Sequence, residues 1–182
     1  MTNLMYALGL SISAATLVSL FWSIAFPEKR LWPPHRYTWR TPWLVWTPTV
    51  LLTLSLIGLG VANWNDWGWS ASWRYALGGT LILLGNAGVW FHVWVFGVHK
   101  TGGQEGHLET RYLYRYSRNP QYISDVGMII GWILMSANVE VLLVGVFAVS
   151  ILVIAPFAEE PWLEQRYGTQ YQAYKKKTPR FL

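Results

Sequence analysis

No charged residue interrupts the sequence between Leu4 and Phe26, and four further apolar runs follow, each bounded by basic, aromatic or proline-bearing segments. Roughly 20 apolar residues, rising about 1.5 Å each in a helix, match a bilayer core of about 30 Å. Backbone polar groups in lipid must be satisfied within the segment itself, so each run is expected to be a helix. The second run is Pro42 to Ala62, with Pro48 near its start, and the third is Tyr75 to Val98. Gly78, Gly79, Gly85 and Gly88 in the third run are small enough to let a neighbouring helix approach closely. The fourth run, Asn119 to Ala137, and the fifth, Val139 to Phe157, are separated only by Asn138, which makes them a helical hairpin.

Charged residues are 13% of the chain, against roughly 25% in soluble domains. Many of the 13 Trp and 10 Tyr flank the runs, where amphipathic rings favour the headgroup region. The predicted fold class is therefore all-α: a polytopic membrane protein of about five transmembrane helices plus a C-terminal amphipathic cytoplasmic helix. Residues 1–182 read as a single domain, with three spans in 1–98 and a loop, hairpin and tail in 99–182. Met1 to Asn3 carries no Lys or Arg, so the first run is expected to be retained rather than cleaved.

Thirteen of the fourteen basic residues lie in the loop after the first run, in the loop before the fourth, and in the tail; Arg74 alone lies elsewhere. The excess of Lys and Arg on one side predicts an integral membrane protein with its N-terminus outside and both basic loops and the C-terminus cytoplasmic. The net charge of +5 thus reflects membrane topology rather than nucleic-acid binding. With no cysteine, disulfides, thiolate metal sites and cysteine nucleophiles are excluded.

Chemistry concentrates in two stretches. The first, Gly106 to Tyr122, is a basic, aromatic loop that launches the fourth run. Asn119 suits an N-cap and Pro120 the first helical position. Arg115 and Arg118 flank that helix start, whose free N–H groups and partial positive charge favour a small carboxylate or phosphate. Asp125 lies just inside the run, where an ionisable group is costly and suggests function. The second stretch begins at Glu159 and Glu160, at the depth where the fifth run should return. Adjacent carboxylates on a helix point about 100° apart, so one can hold a basic partner while the other faces a ligand. From there Leu163, Tyr167, Tyr171 and Tyr174 recur at helical spacing up to Lys175, Lys176 and Lys177, which read as a headgroup anchor.

Other motifs carry less. His92 and His99, with no carboxylate near them, read as hydrogen-bonded packing residues, and no metal site is expected. Gly102-Gly103 before Gly106 follows no strand and lacks Gly-Lys-Ser/Thr, so it is no phosphate-binding fingerprint. No serine lies in Gly-x-Ser-x-Gly.

Arg118-Asn-Pro-Gln-Tyr122 preceded by Leu-Tyr-Arg-Tyr-Ser, and Glu159-Glu160-x-x-Leu163 followed by Tyr167-Gly168-x-x-Tyr171-x-x-Tyr174 and Pro179-Arg180, resemble the isoprenylcysteine carboxyl methyltransferase and phospholipid methyltransferase superfamily of integral membrane enzymes. The resemblance covers roughly the last eighty residues. It implies an S-adenosylmethionine-dependent methyltransferase acting on a lipid-like or small apolar acceptor reached from the membrane. It also implies cofactor-binding roles for His107, Leu108, Tyr114, Arg118, Asn119, Tyr122, Glu159, Glu160 and Tyr171, with Arg180 closing the pocket and Glu160 and Arg180 at its catalytic end. Asp125, His107 or a glutamate would be the base for an acceptor that must lose a proton. Asn119 stands where the family often has His, and Tyr112-Leu113-Tyr114 where it has Gly-Pro-Tyr or Gly-Leu-Tyr. Two other readings stay open: an NADPH-dependent membrane reductase of the sterol-reductase type, whose C-terminal pattern is similar, and a non-catalytic membrane scaffold.

Overall fold

The computed structural model describes residues 1–101 and 106–182, without the side chains of Phe96 and residues 98–101. Gly102, Gly103 and the side chain of His99 fall outside that description. Among the described residues there are five helices and no strand: α1 Thr2–Ala25, α2 Thr41–Ala62, α3 Trp73–Thr101, α4 Pro120–Ser136 and α5 Val139–Lys177. Short 3-10 turns lie at Pro27–Lys29 and Tyr112–Arg115. Four of the helices, α1, α2, α3 over Trp73–Val95, and α5, are long and apolar enough to cross a membrane. The expected fourth span, α4, has 17 residues, about 25 Å of helix, which is shorter than a bilayer core of about 30 Å.

α1, α2, α4 and α5 meet in one apolar cluster built on Leu56, Leu59, Val141, Val144 and Ala148, with Leu10, Ile129 and Trp132 packed against it. Membrane helices gain little from burying apolar surface against one another, so close approach and internal hydrogen bonds hold such bundles. Trp132 Nε1 donates to the Leu56 carbonyl at 2.8 Å, and Ser55 Oγ donates to the Met5 carbonyl. α3 packs chiefly on α4. There a Cβ added at Gly85 would lie 2.5 Å from the Ser124 carbonyl, and one at Gly78 would lie 2.7 Å from that of Gly131. The glycine spacing in the third run therefore reports a real helix contact, with Gly79 facing away from it.

The α4–α5 hairpin turns at Ala137, whose φ of 44° ends α4 in the left-handed region. Asn138, fully buried, then caps α5 as its Oδ1 accepts from Val141 N at 2.8 Å and its Nδ2 donates to the Asn63 carbonyl at 2.9 Å. Arg74, also fully buried, donates to the Met135 carbonyl at 2.7 Å, satisfying the end of α4. The Asn138→Ala substitution is expected to cost about 1–2 kcal/mol, the range for losing an N-cap, read as a lower melting temperature in detergent.

The tail departs from the expectation of a fifth helix ending at Phe157. α5 runs on through Pro156 and Pro161 and turns only at Gly168, whose φ of 52° and ψ of −127° break the helix. Each proline removes a hydrogen bond, but Ala155 and Ala158 pack with Leu20 and with Trp32, Tyr122 and Ile154, which holds the helix direction across both.

Candidate functional site

Glu159 and Glu160 end up on adjacent faces of α5 with different partners. Glu160, 6% exposed, is gripped by Arg180 through two parallel bonds, Nε to Oε1 at 2.7 Å and Nη2 to Oε2 at 2.8 Å. Arg118 Nη2 lies 3.0 Å from Glu160 Oε1, and Lys175 Nζ lies 3.7 Å from Oε2. Glu159 Oε1 instead accepts from neutral donors, Trp32 Nε1 at 2.7 Å and the Tyr122 hydroxyl. One carboxylate thus holds the basic partners while the other faces the interior.

Trp32 is far away in sequence, and a serine in α1 delivers it. Ser23 Oγ accepts from the backbone N–H of Leu31 at 2.9 Å and of Trp32 at 3.0 Å, drawing the basic loop back over α1. The tail after Gly168 folds back as a strap over the loop before α4. The Tyr174 hydroxyl donates to the Tyr114 carbonyl at 2.6 Å, and Arg118 N donates to the Pro179 carbonyl at 3.0 Å. Asn119 Nδ2 donates to the Arg180 carbonyl at 2.9 Å. Asn119 occupies the N-cap position of α4 but makes no side-chain cap bond. Its amide is taken by the strap, and its own N–H donates to Ser117 Oγ at 3.1 Å.

These segments enclose a cavity of about 210 Å³. All nine residues expected from the family resemblance to bind the cofactor line it: His107, Leu108, Tyr114, Arg118, Asn119, Tyr122, Glu159, Glu160 and Tyr171. Arg180 stands outside the lining and acts through Glu160, with its guanidinium 3.8 Å from the Phe157 ring centre. Asp125 does not line the cavity either, although it lies close enough to the Tyr122 hydroxyl to act on it electrostatically.

Arg118 is the informative cation. Its side chain is 7% exposed and, among the described residues, only Nη2 is engaged, while Nε and Nη1 have no hydrogen-bond partner. A buried guanidinium with two free donors in a cavity wall is set up to receive an anion, since unsatisfied donors cost about 1–3 kcal/mol. Glu109, missed in the sequence, also lines the cavity and accepts from Arg111 Nε at 3.1 Å and Arg111 N at 2.9 Å. The side-chain bond from Arg111 holds its carboxyl below the ordinary range, against the opposing effect of burial. Burial pushes the Tyr114 phenol well above its usual value, so it stays protonated. His92, expected to be a packing residue, is hydrogen-bonded as anticipated but also lines the cavity, where its Nε2 meets the Tyr114 hydroxyl.

Tyr112 stands where the family resemblance expects glycine. It takes φ 54°, the left-handed region that glycine favours. Its ring is held edge-on by Phe91 at 5.9 Å, with the Arg111 guanidinium 5.7 Å away.

Gly168 adopts φ 52° and ψ −127°, and a Cβ there would meet nothing within 4 Å. The conformation, not crowding, requires glycine. Gly168→Ala is expected to destabilise the strap by at least about 1 kcal/mol, seen as faster hydrogen exchange confined to residues 169–182.

An all-helical bundle with spans long enough for a bilayer, and a charged cavity closed at one end by its own tail, defines an integral membrane protein with a buried polar site. Residues 73–170 match the family model described as phospholipid methyltransferase. That match covers more than half of the chain, and the chain belongs to this family. Membership makes it a membrane methyltransferase. No curated protein and no solved structure matches it.

Proposed function

We propose that the protein transfers a methyl group from S-adenosylmethionine to a lipid-like or small apolar acceptor, with the cavity as the cofactor site. The observation that carries this reading is Arg118, buried in the cavity wall with Nε and Nη1 unsatisfied. Those donors fit the carboxylate of the cofactor's methionine part. Glu159, bonded among the described residues to uncharged donors, and Glu109 supply acceptors for its amine and hydroxyls. Tyr114, Tyr122 and Tyr171 provide aromatic faces that attract a sulfonium. When bound, S-adenosylmethionine supplies an electrophilic methyl group on a positively charged sulfur. The chain's own part is to align donor and acceptor and exclude water, contributions that reach about 7–11 kcal/mol.

The reductase reading fits the lining less well. A 2′-phosphate needs several cations, whereas among the described residues Glu109, Glu159 and Glu160 line the cavity with Arg118 as its one arginine. The excess of basic residues at this end supports a cytoplasmic cavity with the N-terminus outside.

The test is calorimetry on the full-length protein in detergent, titrated separately with S-adenosylmethionine and NADPH. Saturable binding of the first alone is expected. No heat at millimolar S-adenosylmethionine, or tighter binding of NADPH, overturns the proposal.

A further inference from the structure

His92 belongs to no motif, yet α3 buries it to 2% exposure in the cavity wall. Its Nε2 shares a hydrogen bond with the Tyr114 hydroxyl, and the two rings lie 4.9 Å apart. Tyr114 is fixed from the far side as well, because its carbonyl accepts from the Tyr174 hydroxyl at 2.6 Å. An imidazole in an apolar helix is costly and is expected to serve a purpose there. Filling space alone would be done as well by leucine, with no polar atom to satisfy.

The groups acting on this pair come from three elements. The loop contributes Glu109, α4 contributes Tyr122, and α5 contributes Glu159 and Tyr174. Glu159 is already committed to Trp32 and Tyr122, and Glu109 to Arg111. His92 and Tyr114, both lining the cavity, are linked to each other as donor and acceptor by the shared hydrogen bond.

We propose that Tyr114 takes the proton that an amine, thiol or hydroxyl acceptor loses on methylation, with His92 as the positioning residue that receives it in turn. The inference rests on the methyltransferase reading of this cavity and narrows its acceptor to one that arrives carrying a proton. In the step, the acceptor's X–H bond breaks and its electron pair forms the new bond to the methyl carbon. The carbon–sulfur pair stays on sulfur, which leaves as a neutral thioether. The acceptor's proton passes to Tyr114 Oη while the phenol's own proton passes to His92 Nε2, leaving an imidazolium. Nε2 can accept only in the tautomer that carries its proton on Nδ1. A carboxylate acceptor has no proton to release and would leave the pair idle.

The test has an arm that needs no turnover. In the full chain carrying ¹⁵N-histidine, with His92 identified through His92→Asn, its imidazole titration should shift when Tyr114 becomes Phe. In the second arm, dodecylamine, 1-dodecanethiol and dodecanoate are offered with S-adenosylmethionine. The amine or the thiol should be methylated and dodecanoate should not. The rate should fall as pH drops and His92 becomes charged. His92→Asn should lower kcat by about 10²–10⁴-fold, with KM little changed and the acid limb of the pH profile flattened. Methylation of dodecanoate, an unchanged acid limb in His92→Asn, or a His92 titration indifferent to Tyr114→Phe would overturn the proposal. Failure of the wild-type protein to bind S-adenosylmethionine would instead remove the cofactor reading, and the titration arm still reports on the pair.

Discussion

Glu160→Ala is expected to lower stability by about 3–5 kcal/mol, the range for removing one partner of a buried ion pair. The carboxylate holds Arg180 through two bonds of 2.7 and 2.8 Å, Arg118 at 3.0 Å and Lys175 at 3.7 Å. Without it, Arg118 keeps a buried positive charge that already has two unpartnered nitrogens. Arg180 loses the anchor that ties the strap to α5, so the damage should spread to the backbone bonds from Arg118 N and Asn119 Nδ2 to the strap. The measurement is thermal unfolding in detergent together with hydrogen exchange over residues 169–182, which should both worsen. Glu160→Gln, which keeps an acceptor but no charge, should fall between. Pairing Glu160→Ala with Arg118→Leu should recover part of the loss, because the stranded charge is then gone. If Glu160→Ala melts with the wild type, the ion-pair cluster does not hold the strap.

The bundle was legible because membrane insertion leaves a plain record: long uncharged runs, tryptophans at their ends, and lysines and arginines on one side. The reversal at Asn138 could be read because a one-residue connection between two apolar runs leaves room only for a helical hairpin. The meeting of Arg118 with Glu160 was legible for another reason, since both sit at the same end of neighbouring spans and are bound to return to one depth. What the sequence concealed depends on partners far along the chain. Asn119 looks like a cap until the Arg180 carbonyl, 61 residues away, takes its amide. Trp32 has no local sign of purpose, and its indole reaches Glu159 across 127 residues. A histidine in an apolar run with no carboxylate near it has nothing in the sequence to set it apart from a hydrogen-bonded packing residue, so the place of His92 in the cavity wall is visible only in the fold. The apolar run ends at Phe157, but packing of Ala155 and Ala158 on Leu20 and Trp32 accompanies a helix that continues past it, and the break falls at Gly168.

Arg118→Ala should weaken S-adenosylmethionine binding by about 10–100-fold, as the loss of a charge-assisted hydrogen bond of roughly 1.5–3 kcal/mol requires. The variant is expected to stay folded, because Glu160 keeps both bonds to Arg180 and the contact to Lys175. Arg118 therefore separates binding from folding in a way that Glu160 does not. Arg118→Lys should restore only part of the affinity. An ammonium supplies the charge, but it lacks the planar fork by which one side chain can hold Glu160 through Nη2 and offer Nε and Nη1 to a ligand carboxylate. Calorimetry on the three proteins, with melting temperatures beside each, decides the matter. Equal affinity in all three would mean that the ligand carboxylate does not dock on Arg118, whereas a graded loss at constant stability ties the two free donors of the cavity wall to the cofactor.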